Sequence, residues 1–386
     1  MINPQVGALN RSSTLKLTAL TKKLKKEGKD VVNFTAGEPD FDTPDFIKKA
    51  AKAAIDAGFT KYTPSTGALE LREAIVQKLK DDNGLTYTAN DIIVSSGAKY
   101  AIYIAMLTAL EQGSEVILPV PYWVSYPEMI RLCGAQVKFL PCRKEDGFKI
   151  DIKALEKAVT PKTRMLVMNY PANPTGVTYT REELLPIAQL AVKKNFYVLS
   201  DEIYEKIIFD GLKHISFGAL SADTHKITLT VNGFSKSSAM TGWRLGYLAG
   251  PAEFIAQASK VADHTTSCAS SISQKAGLAA LTDTSWQAAM CKEFEKRRDI
   301  LFKGLSTCGE KFIPYKPQGA FYMFCDIRKT GLKSDQFCTK LLEKHLVSCI
   351  PADSFGAEGY IRLSFATSIA DIEKGILRIK KFLGEL

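Results

Sequence analysis

Residues 165–176 of the chain read MLVMNYPANPTG, residues 197–204 read YVLSDEIY, and residues 227–236 read ITLTVNGFSK. Each stretch starts as a short apolar run and ends in a polar or glycine-containing turn. Helical patterns fill the segments between them. Strands that alternate with helices are typical of a mainly parallel sheet that is covered by helices on both faces. The sequence therefore predicts an α/β fold.

The same alternation extends outward from these three stretches. Further apolar, strand-like runs occur at Ile92–Val94, Val116–Pro119 and Leu245–Ala249. The apolar stretch Tyr100–Leu110 is typical of a buried helix. We expect all of them to belong to one sheet and its covering layers.

After about residue 285 the pattern changes. A long charged helix at 288–306, an alternating segment at 319–326 and a strand at 360–364 predict a smaller α+β domain that shares its core with the N-terminal segment. A chain of 386 residues also exceeds the size at which one core usually stops growing. We therefore expect a large domain at 45–284 and a small domain built from 1–44 and 285–386.

Composition indicates a globular protein, with 46% hydrophobic and 24% charged residues. The longest apolar run is well short of the ~20 residues that cross a bilayer, and the first ten residues, MINPQVGALN, lack the pattern of a secretory signal. We expect a cytoplasmic protein with no membrane partner. Eight scattered cysteines without a CxxC pair are expected to be reduced, and four isolated histidines predict no metal site.

The net charge of +10 raises the question of a nucleic-acid partner. The basic residues are spread along the chain, and the densest group, Lys22, Lys23, Lys25 and Lys26, falls on a helix predicted at 14–27. We interpret this group as a solvated helix face and expect no nucleic-acid binding. The positive charge favours anionic substrates.

Polar residues follow three consecutive strands of the predicted sheet. Asn173, Asp201 with Tyr204, and Lys236 come after the runs at 165–169, 197–200 and 227–231, and Arg244 follows shortly after. Ligands of open α/β sheets bind beyond the carboxyl ends of the strands. The sequence therefore predicts that these side chains share one site.

The motifs at these positions resemble a known family. The combination of NPTG, SDEIYE, SK followed by MTGWRLGY and a late RLSFA, together with AGEPDFDTP and KYTPSTG, resembles the class I aminotransferases of pyridoxal-phosphate (PLP) fold type I. The resemblance covers essentially the whole chain and is strongest to aspartate aminotransferases of the Iβ type. It implies a large domain with a mainly parallel sheet flanked by helices, plus a smaller α+β domain.

The resemblance implies pyridoxal 5′-phosphate as cofactor and assigns residues to its ring. Lys236 matches the lysine that bonds the cofactor and moves the substrate's α-proton. Asp201 matches the carboxylate that keeps the ring nitrogen protonated, and Asn173 and Tyr204 match the partners of the phenolic oxygen. Trp123 matches the aromatic residue that stacks on the ring. Considered singly, these residues are also compatible with a surface lysine, a helix N-cap, turn chemistry and core packing.

The cofactor's phosphate calls for backbone N–H groups at a helix N-terminus and a fixed cation. By resemblance, Gly97, Ala98 and Lys99 open the helix, with Arg244 as the cation, Ser235 as a ligand, and Tyr62 reaching in from a neighbouring subunit. Gly233 stands where many relatives carry a phosphate-binding serine. This departure makes the role of Ser235 an open point.

The resemblance also assigns the substrate's groups. Arg362 matches the arginine that binds the α-carboxylate, assisted by the backbone of Gly37, and Trp123 and Asn173 also face the substrate. Lys99 matches a lysine that meets a distal carboxylate, with hydroxyls from Ser12 and Thr14. Alternatives from the residues alone are an exposed strand arginine and a solvated first-turn lysine. A cation at Lys99 favours aspartate and glutamate.

The predicted reaction is a ping-pong transamination between aspartate and 2-oxoglutarate in a homodimer with shared active sites. One alternative keeps the cofactor and changes the substrate to prephenate or to aromatic or kynurenine-type amino acids. A second is a PLP-dependent β-lyase. The third is a ligand-binding regulator; fused regulators of that kind carry an N-terminal winged helix, for which few residues precede AGEPDFDTP.

Overall fold

The computed structural model describes residues 2, 4–7, 9 and 14–386. Helices within that part of the chain are α1 Pro4–Gly7, α2 Thr14–Lys26, α3 Asp45–Asp56, α4 Leu69–Asn83, α5 Ala98–Ala109, α6 Tyr126–Leu132, α7 Ile152–Ala158, α8 Arg181–Lys194, α9 Ala222–Ile227, α10 Ala252–Asp263, α11 Ser271–Thr282, α12 Ser285–Leu305, α13 Ser334–His345 and α14 Ile369–Gly384. Strands are β1 Val32–Asn33, β2 Ile92–Ser95, β3 Glu115–Val120, β4 Gln136–Pro141, β5 Thr163–Asn169, β6 Tyr197–Asp201, β7 Thr228–Gly233, β8 Gly246–Ala249, β9 Ile313–Tyr315, β10 Tyr322–Asp326, β11 Val347–Ser348, β12 Ile350–Pro351 and β13 Tyr360–Ser364.

Seven strands form one large sheet in the order β2-β8-β7-β6-β5-β3-β4. β8 is antiparallel to both of its neighbours, and every other pairing is parallel. The prediction of a mainly parallel sheet is confirmed. Each of its six predicted strands forms, with ends shifted by at most two residues.

Both faces of this sheet are buried, as a mostly parallel sheet requires. The adjacent residues Val198 and Leu199 of β6 point to opposite sides and belong to different apolar clusters. One cluster lies under α5, α6 and α10, and the other lies under α7 and α8. The tight packing on both sides leaves the ends of the strands as the place where polar chemistry can concentrate.

A second unit contains the antiparallel sheet β12-β13-β10-β9 and the short parallel pair β1-β11. Val32 and Phe34 from the N-terminal segment share one apolar cluster with Phe294 of α12 and Ile379 of α14. Tyr204, which follows β6, belongs to the same cluster. The expected fold class, a large α/β unit with a smaller α+β unit, is confirmed, and boundaries at residues 44 and 284 stay a prediction. Within the described ranges, every helix is too short or too polar to cross a membrane.

Candidate active site

A cleft of about 530 Å³ lies between the carboxyl edge of the large sheet and the antiparallel sheet. This volume falls in the usual range for small-molecule sites. Predicted site residues on its wall are Gly37, Ala98, Lys99, Trp123, Asn173, Asp201, Tyr204, Ser235, Lys236, Arg244 and Arg362. The structure thus brings together residues that are up to 325 positions apart (from 37 to 362).

The sheet topology explains why these side chains meet. Asn169 at the end of β5 is in register with Asp201 at the end of β6, and Asp201 is in register with Val231 of β7. β8 runs in the opposite direction, so Arg244, which precedes it, emerges at the same edge. The polar residues that follow the parallel strands, and Arg244 that precedes the antiparallel strand β8, therefore lie at the same edge of the sheet.

Lys236 follows β7 and is half-buried, with its Nζ donating a hydrogen bond to the Gly37 carbonyl at 2.5 Å. Burial lowers the pKa of Lys236 to about 8; the charges of Arg362 and Arg244 act in the same direction, and Glu38 opposes them. A lysine with a pKa near 8 has a substantial neutral fraction close to physiological pH. Its amine is therefore available as a nucleophile and as a base.

Asp201 is a buried carboxylate, 4% exposed, that forms no ion pair with any described residue. Its Oδ2 accepts a hydrogen bond from the Tyr126 hydroxyl at 2.6 Å, and its Oδ1 accepts one from the backbone N–H of Ile203 at 3.3 Å. Burial raises the pKa of Asp201 to about 6, against the opposing effect of the Tyr126 hydrogen bond. Such a group suits a ligand that carries a cation, such as a protonated ring nitrogen.

Arg362 is the converse, a buried cation that is 5% exposed. Its Nη1 donates to Asn173 Oδ1 at 2.9 Å and its Nη2 to the Thr35 carbonyl at 3.1 Å, while the Tyr322 ring lies 4.2 Å from its Cζ. No carboxylate in the described part of the chain pairs with it, and its buried Nε has no hydrogen-bond partner there. An uncompensated guanidinium of this kind suits a carboxylate ligand.

Two tyrosines in the cleft were not assigned a role from the sequence. Tyr322 bonds Tyr204, with 2.9 Å between their hydroxyl oxygens, and lies against Arg362; Tyr126 bonds Asp201. Burial raises the pKa of Tyr204 well above its usual range, which keeps this phenol a neutral hydrogen-bonding group. Tyr126 lies three residues after Trp123 in PYWVSY, and that spacing was the available signal for it.

One end of the cleft is shaped for a phosphate. Gly97 has φ +89° and precedes α5, and a Cβ at this position would lie 2.5 Å from Arg244 Nη2. Arg244 Nη1 donates to the Thr241 carbonyl at 2.7 Å, which directs the side chain toward the start of α5. A bare backbone turn, a helix N-terminus and an adjacent guanidinium together suit a dianionic group. The residues present therefore fit a cofactor that carries a phosphate, a basic ring nitrogen and a carbonyl.

Gly233 has a structural explanation. A Cβ there would lie 2.8 Å from Gly246 Cα and 2.9 Å from the Leu245 carbonyl, so the β7–β8 pairing has no room for a serine. Ser235 lines the cleft and is buried, and its hydroxyl makes no hydrogen bond to another described residue. It remains available to a ligand.

Three cationic or aromatic groups define the outer cleft. Lys99 Nζ lies 4.8 Å from the Trp123 ring centroid, and burial, followed by the charge of Arg244, lowers the pKa of Lys99. Lys22 is exposed, as expected for a solvated helix face, but it also lines this cleft, which its sequence context did not indicate. The cleft wall therefore carries Lys22 and Lys99 as cations in addition to Lys236, Arg244 and Arg362.

The structure does not place three other predicted residues at the cleft. Tyr62 is 88% exposed and does not line the cleft. Ser12 lies outside the described residues, and although Thr14 begins α2, its side chain is also outside them. Their assigned roles stay predictions.

Glu202, Glu205 and His214 form a buried cluster next to the cleft that the sequence analysis did not foresee. His214 Nε2 lies 2.8 Å from Glu202 Oε2, so this histidine is not isolated. Lys78 pairs with Glu205, and Asn83 donates to Glu205 at 2.7 Å. Because Lys78 pairs with Glu205, and His214 and Ser216 already bond Glu202, we interpret the cluster as a hydrogen-bond network that supports the turn after β6.

Comparisons with known proteins agree with this geometry. The profile of the family described as "Aminotransferase class I and II" matches residues 29–379. An aspartate aminotransferase of Bacillus sp. (strain YM-2) is 43% identical, with 98% of each chain covered. A Petunia hybrida bifunctional aspartate aminotransferase and glutamate/aspartate-prephenate aminotransferase is 44% identical over 99% of this chain and 82% of its own. The solved structure of Thermus thermophilus aspartate aminotransferase with maleate has a TM-score of 0.94 and 40% identity, with 99% of both chains covered.

Proposed function

The chain belongs to the class I and II aminotransferase family, and from that premise we propose that it transfers the amino group of aspartate to 2-oxoglutarate, giving oxaloacetate and glutamate. The observation that carries the proposal is the pair of cations on the cleft wall, the buried Arg362 and the outer Lys99, neither of which has a carboxylate partner among residues 14–386. A dicarboxylic substrate supplies one anion for each. The relatives named as aspartate aminotransferases support the same assignment.

The proposed cofactor is pyridoxal 5′-phosphate, because the groups in the cleft match its parts. Lys236 would hold its carbonyl carbon, Asp201 its ring nitrogen, and Arg244 with the start of α5 its phosphate. Asn173 and Tyr204 would meet the phenolic oxygen, Trp123 the ring face, and Ser235 the phosphate. When bound, this cofactor acts as an electron sink that makes the substrate's α-proton removable.

Lys236 performs the proton transfers in this proposal. Its pKa of about 8 leaves the neutral amine accessible, and its bond to the Gly37 carbonyl directs Nζ toward the substrate side of the cleft. The free Lys236 amine would accept the substrate's α-proton and would then protonate the cofactor carbon that receives the amino group.

Arg362 orients the substrate by binding its α-carboxylate in two hydrogen bonds. Its planar group is already fixed by Asn173, by the Thr35 carbonyl and by the Tyr322 ring, so little freedom is lost on binding. Lys99 binds the distal carboxylate, with Ser12 and Thr14 as further donors in the proposal. Gly37 contributes its backbone to the α-carboxylate.

We also propose that two copies of the chain assemble and share their active sites. Tyr62 is a large aromatic residue that is almost fully exposed outside its own cleft. A tyrosine in that position suits a partner subunit's phosphate site. The expected cytoplasmic location stays a prediction.

A second candidate substrate is prephenate, which carries two carboxylates. The Petunia relative is named for both activities, and the same two cations would serve both substrates. No observation in the described residues favours an aromatic or kynurenine-type substrate, a β-lyase reaction or a regulatory role.

The test is steady-state kinetics of the purified holoprotein. With 2-oxoglutarate as acceptor, aspartate turnover should exceed that of phenylalanine, and prephenate with glutamate should be assayed in parallel. Absence of aspartate turnover would contradict the proposal. Pyruvate and ammonia from a cysteine-type substrate would indicate the β-lyase instead.

A further inference from the structure

Among the described residues, a single side chain, that of Tyr126, hydrogen-bonds the Asp201 carboxylate. The Tyr126 hydroxyl donates to Oδ2 at 2.6 Å, whereas Oδ1 receives only a long backbone hydrogen bond of 3.3 Å. Tyr126 is 1% exposed and Asp201 is 4% exposed, so bulk water does not compete for the hydrogen bond between them. The phenol therefore determines which way the carboxylate faces.

Tyr126 is itself firmly held. It begins α6, its N–H donates to the Trp123 carbonyl at 3.1 Å, and its ring meets the Trp123 ring edge-on with centroids 5.2 Å apart. Trp123 lines the same cleft. One turn of chain thus positions both the aromatic residue that faces the ring and the phenol behind the carboxylate.

We propose that Tyr126 is a positioning residue that keeps Asp201 ionised and directed at the ring nitrogen of the cofactor. This inference rests on the proposed cofactor and does not depend on which amino acid is the substrate. A phenol that donates to a carboxylate stabilises its charged form. Without that donor, Oδ2 would be a buried oxygen with no partner among the described residues, and the neutral acid would be favoured.

Other charged groups face Asp201 and act in both directions. Glu202, the next residue along the chain, raises the pKa of Asp201, whereas Lys236 beyond β7 lowers it. Tyr204 is the remaining titratable neighbour, and it stays a neutral phenol because its own pKa is raised. Of the side chains around Asp201, Tyr126 has the largest lowering effect on its pKa.

The test compares Tyr126→Phe with Tyr170→Phe. Tyr170 is an ideal control because it is equally buried and its hydroxyl has no partner in the described structure. The readout is the dissociation constant of pyridoxal phosphate for the apoprotein, measured by fluorescence titration. Tyr126→Phe should weaken binding about tenfold or more, the scale of a hydrogen bond to a charged group, and Tyr170→Phe should leave it within about twofold.

The pH dependence of the same titration gives a second readout. Cofactor binding should weaken as pH falls and Asp201 takes up a proton, with an acid limb near pH 6 in the wild type. Loss of the Tyr126 hydrogen bond raises the pKa of Asp201, so the acid limb of Tyr126→Phe should move to higher pH. Titration of the cofactor's own phosphate and of Lys236, whose pKa is about 8, is common to both proteins and cancels in the comparison.

A double-mutant cycle separates this role from a general packing defect. In an Asp201→Asn background, Tyr126→Phe should have little further effect on cofactor binding, because the carboxylate that it serves is absent. An equal loss in both backgrounds would overturn the proposal, as would an unchanged acid limb in Tyr126→Phe. A wild type that binds the cofactor but does not turn over aspartate would refute the substrate assignment alone; one that binds no cofactor would refute both.

Discussion

Two arginines of this chain are almost equally buried and have opposite surroundings. The Arg298 side chain on α12 is 0% exposed and pairs with Asp210, Glu295 and Asp299 at 2.7–3.3 Å. Arg362 on β13 is 5% exposed and, among the described residues, donates hydrogen bonds only to neutral oxygen atoms. A buried cation that its neighbours neutralise serves the fold, whereas one that they leave uncompensated is available to a ligand.

Asp201 extends the comparison to the opposite charge. It is buried in the same cleft as Arg362, yet its side-chain partner is the neutral Tyr126, and Arg362 bonds the neutral Asn173. The charges of Asp201 and Arg362 are therefore each available to pair with a ligand group of opposite sign. A cofactor with a basic ring nitrogen and a substrate with a carboxylate provide those two groups in one complex.

The largest expected effect concerns the amine of Lys236, which lines the same cleft. Lys236→Ala should lower kcat at least about a thousandfold, because it removes both the nucleophile and the proton carrier. Thermal stability should stay near the wild-type value, since the side chain is only half-buried. Single-turnover kinetics with aspartate provides the measurement, and full activity in the variant would exclude Lys236 from the chemistry.

The unpaired arginine should affect function and not stability. Arg362→Leu should lower kcat/KM for aspartate about a hundredfold or more, because a buried ion pair with the α-carboxylate is lost. Its Tm should be unchanged or raised, since a buried, uncompensated cation has been removed. If Arg362→Leu had a much lower Tm and normal kinetics, Arg362 would stabilise the fold and would not bind the substrate, which would contradict the prediction.

The paired arginine should show the opposite behaviour. Arg298→Leu should lower the free energy of unfolding by about 2–4 kcal/mol, because the contacts of its buried guanidinium with three acids and its stacking on Phe209 at 4.7 Å are lost. The specific activity of the folded fraction should stay unchanged. Urea denaturation with an activity assay at each point tests both statements, and an unchanged unfolding midpoint would contradict the first.

Much of the large sheet and of the cleft could be predicted from the sequence. β-Branched apolar runs identified six strands of the large sheet, and the motifs that follow them placed Asp201 and Lys236 in one site. Arg362 was added to that site by the family resemblance. β4 was not predicted, because its residues at the sheet edge alternate irregularly and stay half exposed. An edge strand gives a weaker pattern than a central one.

The supporting residues were harder to predict because their roles depend on tertiary contacts. Tyr126 and Tyr322 are separated in sequence from Asp201 and Arg362, and only the folded chain shows that they touch them. Lys22 belongs to a run of lysines whose pattern indicates solvent, and its place beside the cleft follows from how α2 packs on the small unit. The expected role of Tyr62 requires a second copy of the chain.

A smaller effect concerns the pH at which Lys236 reacts. Burial lowers the pKa of Lys236 to about 8, so its free amine appears at lower pH than that of an ordinary lysine. Trapping of pyridoxal phosphate on the apoprotein by borohydride should therefore reach half its maximum near pH 8. Free Nα-acetyl-lysine in solution is the reference and should react only at higher pH. Equal pH profiles of Lys236 and the free amino acid would contradict the assigned environment.

The smallest expected effect distinguishes two positions, one helical turn apart, on the lysine-rich helix. Lys22→Ala should raise KM for aspartate about two- to fivefold, because an exposed cation at the edge of the cleft contributes little. The effect should fade at high salt. Lys26→Ala, on the same helix but away from the cleft wall, should have no effect on KM. If the two variants have the same KM, Lys22 does not contribute to substrate binding and is only a solvated surface residue.

The most direct test of the account is chemical mapping of the cofactor bond. The holoprotein is reduced with borohydride, digested, and sequenced by mass spectrometry. We predict one pyridoxyl adduct per chain, at Lys236. An adduct at Lys99 or another lysine, or a protein that retains no cofactor, would contradict the assignment of this cleft.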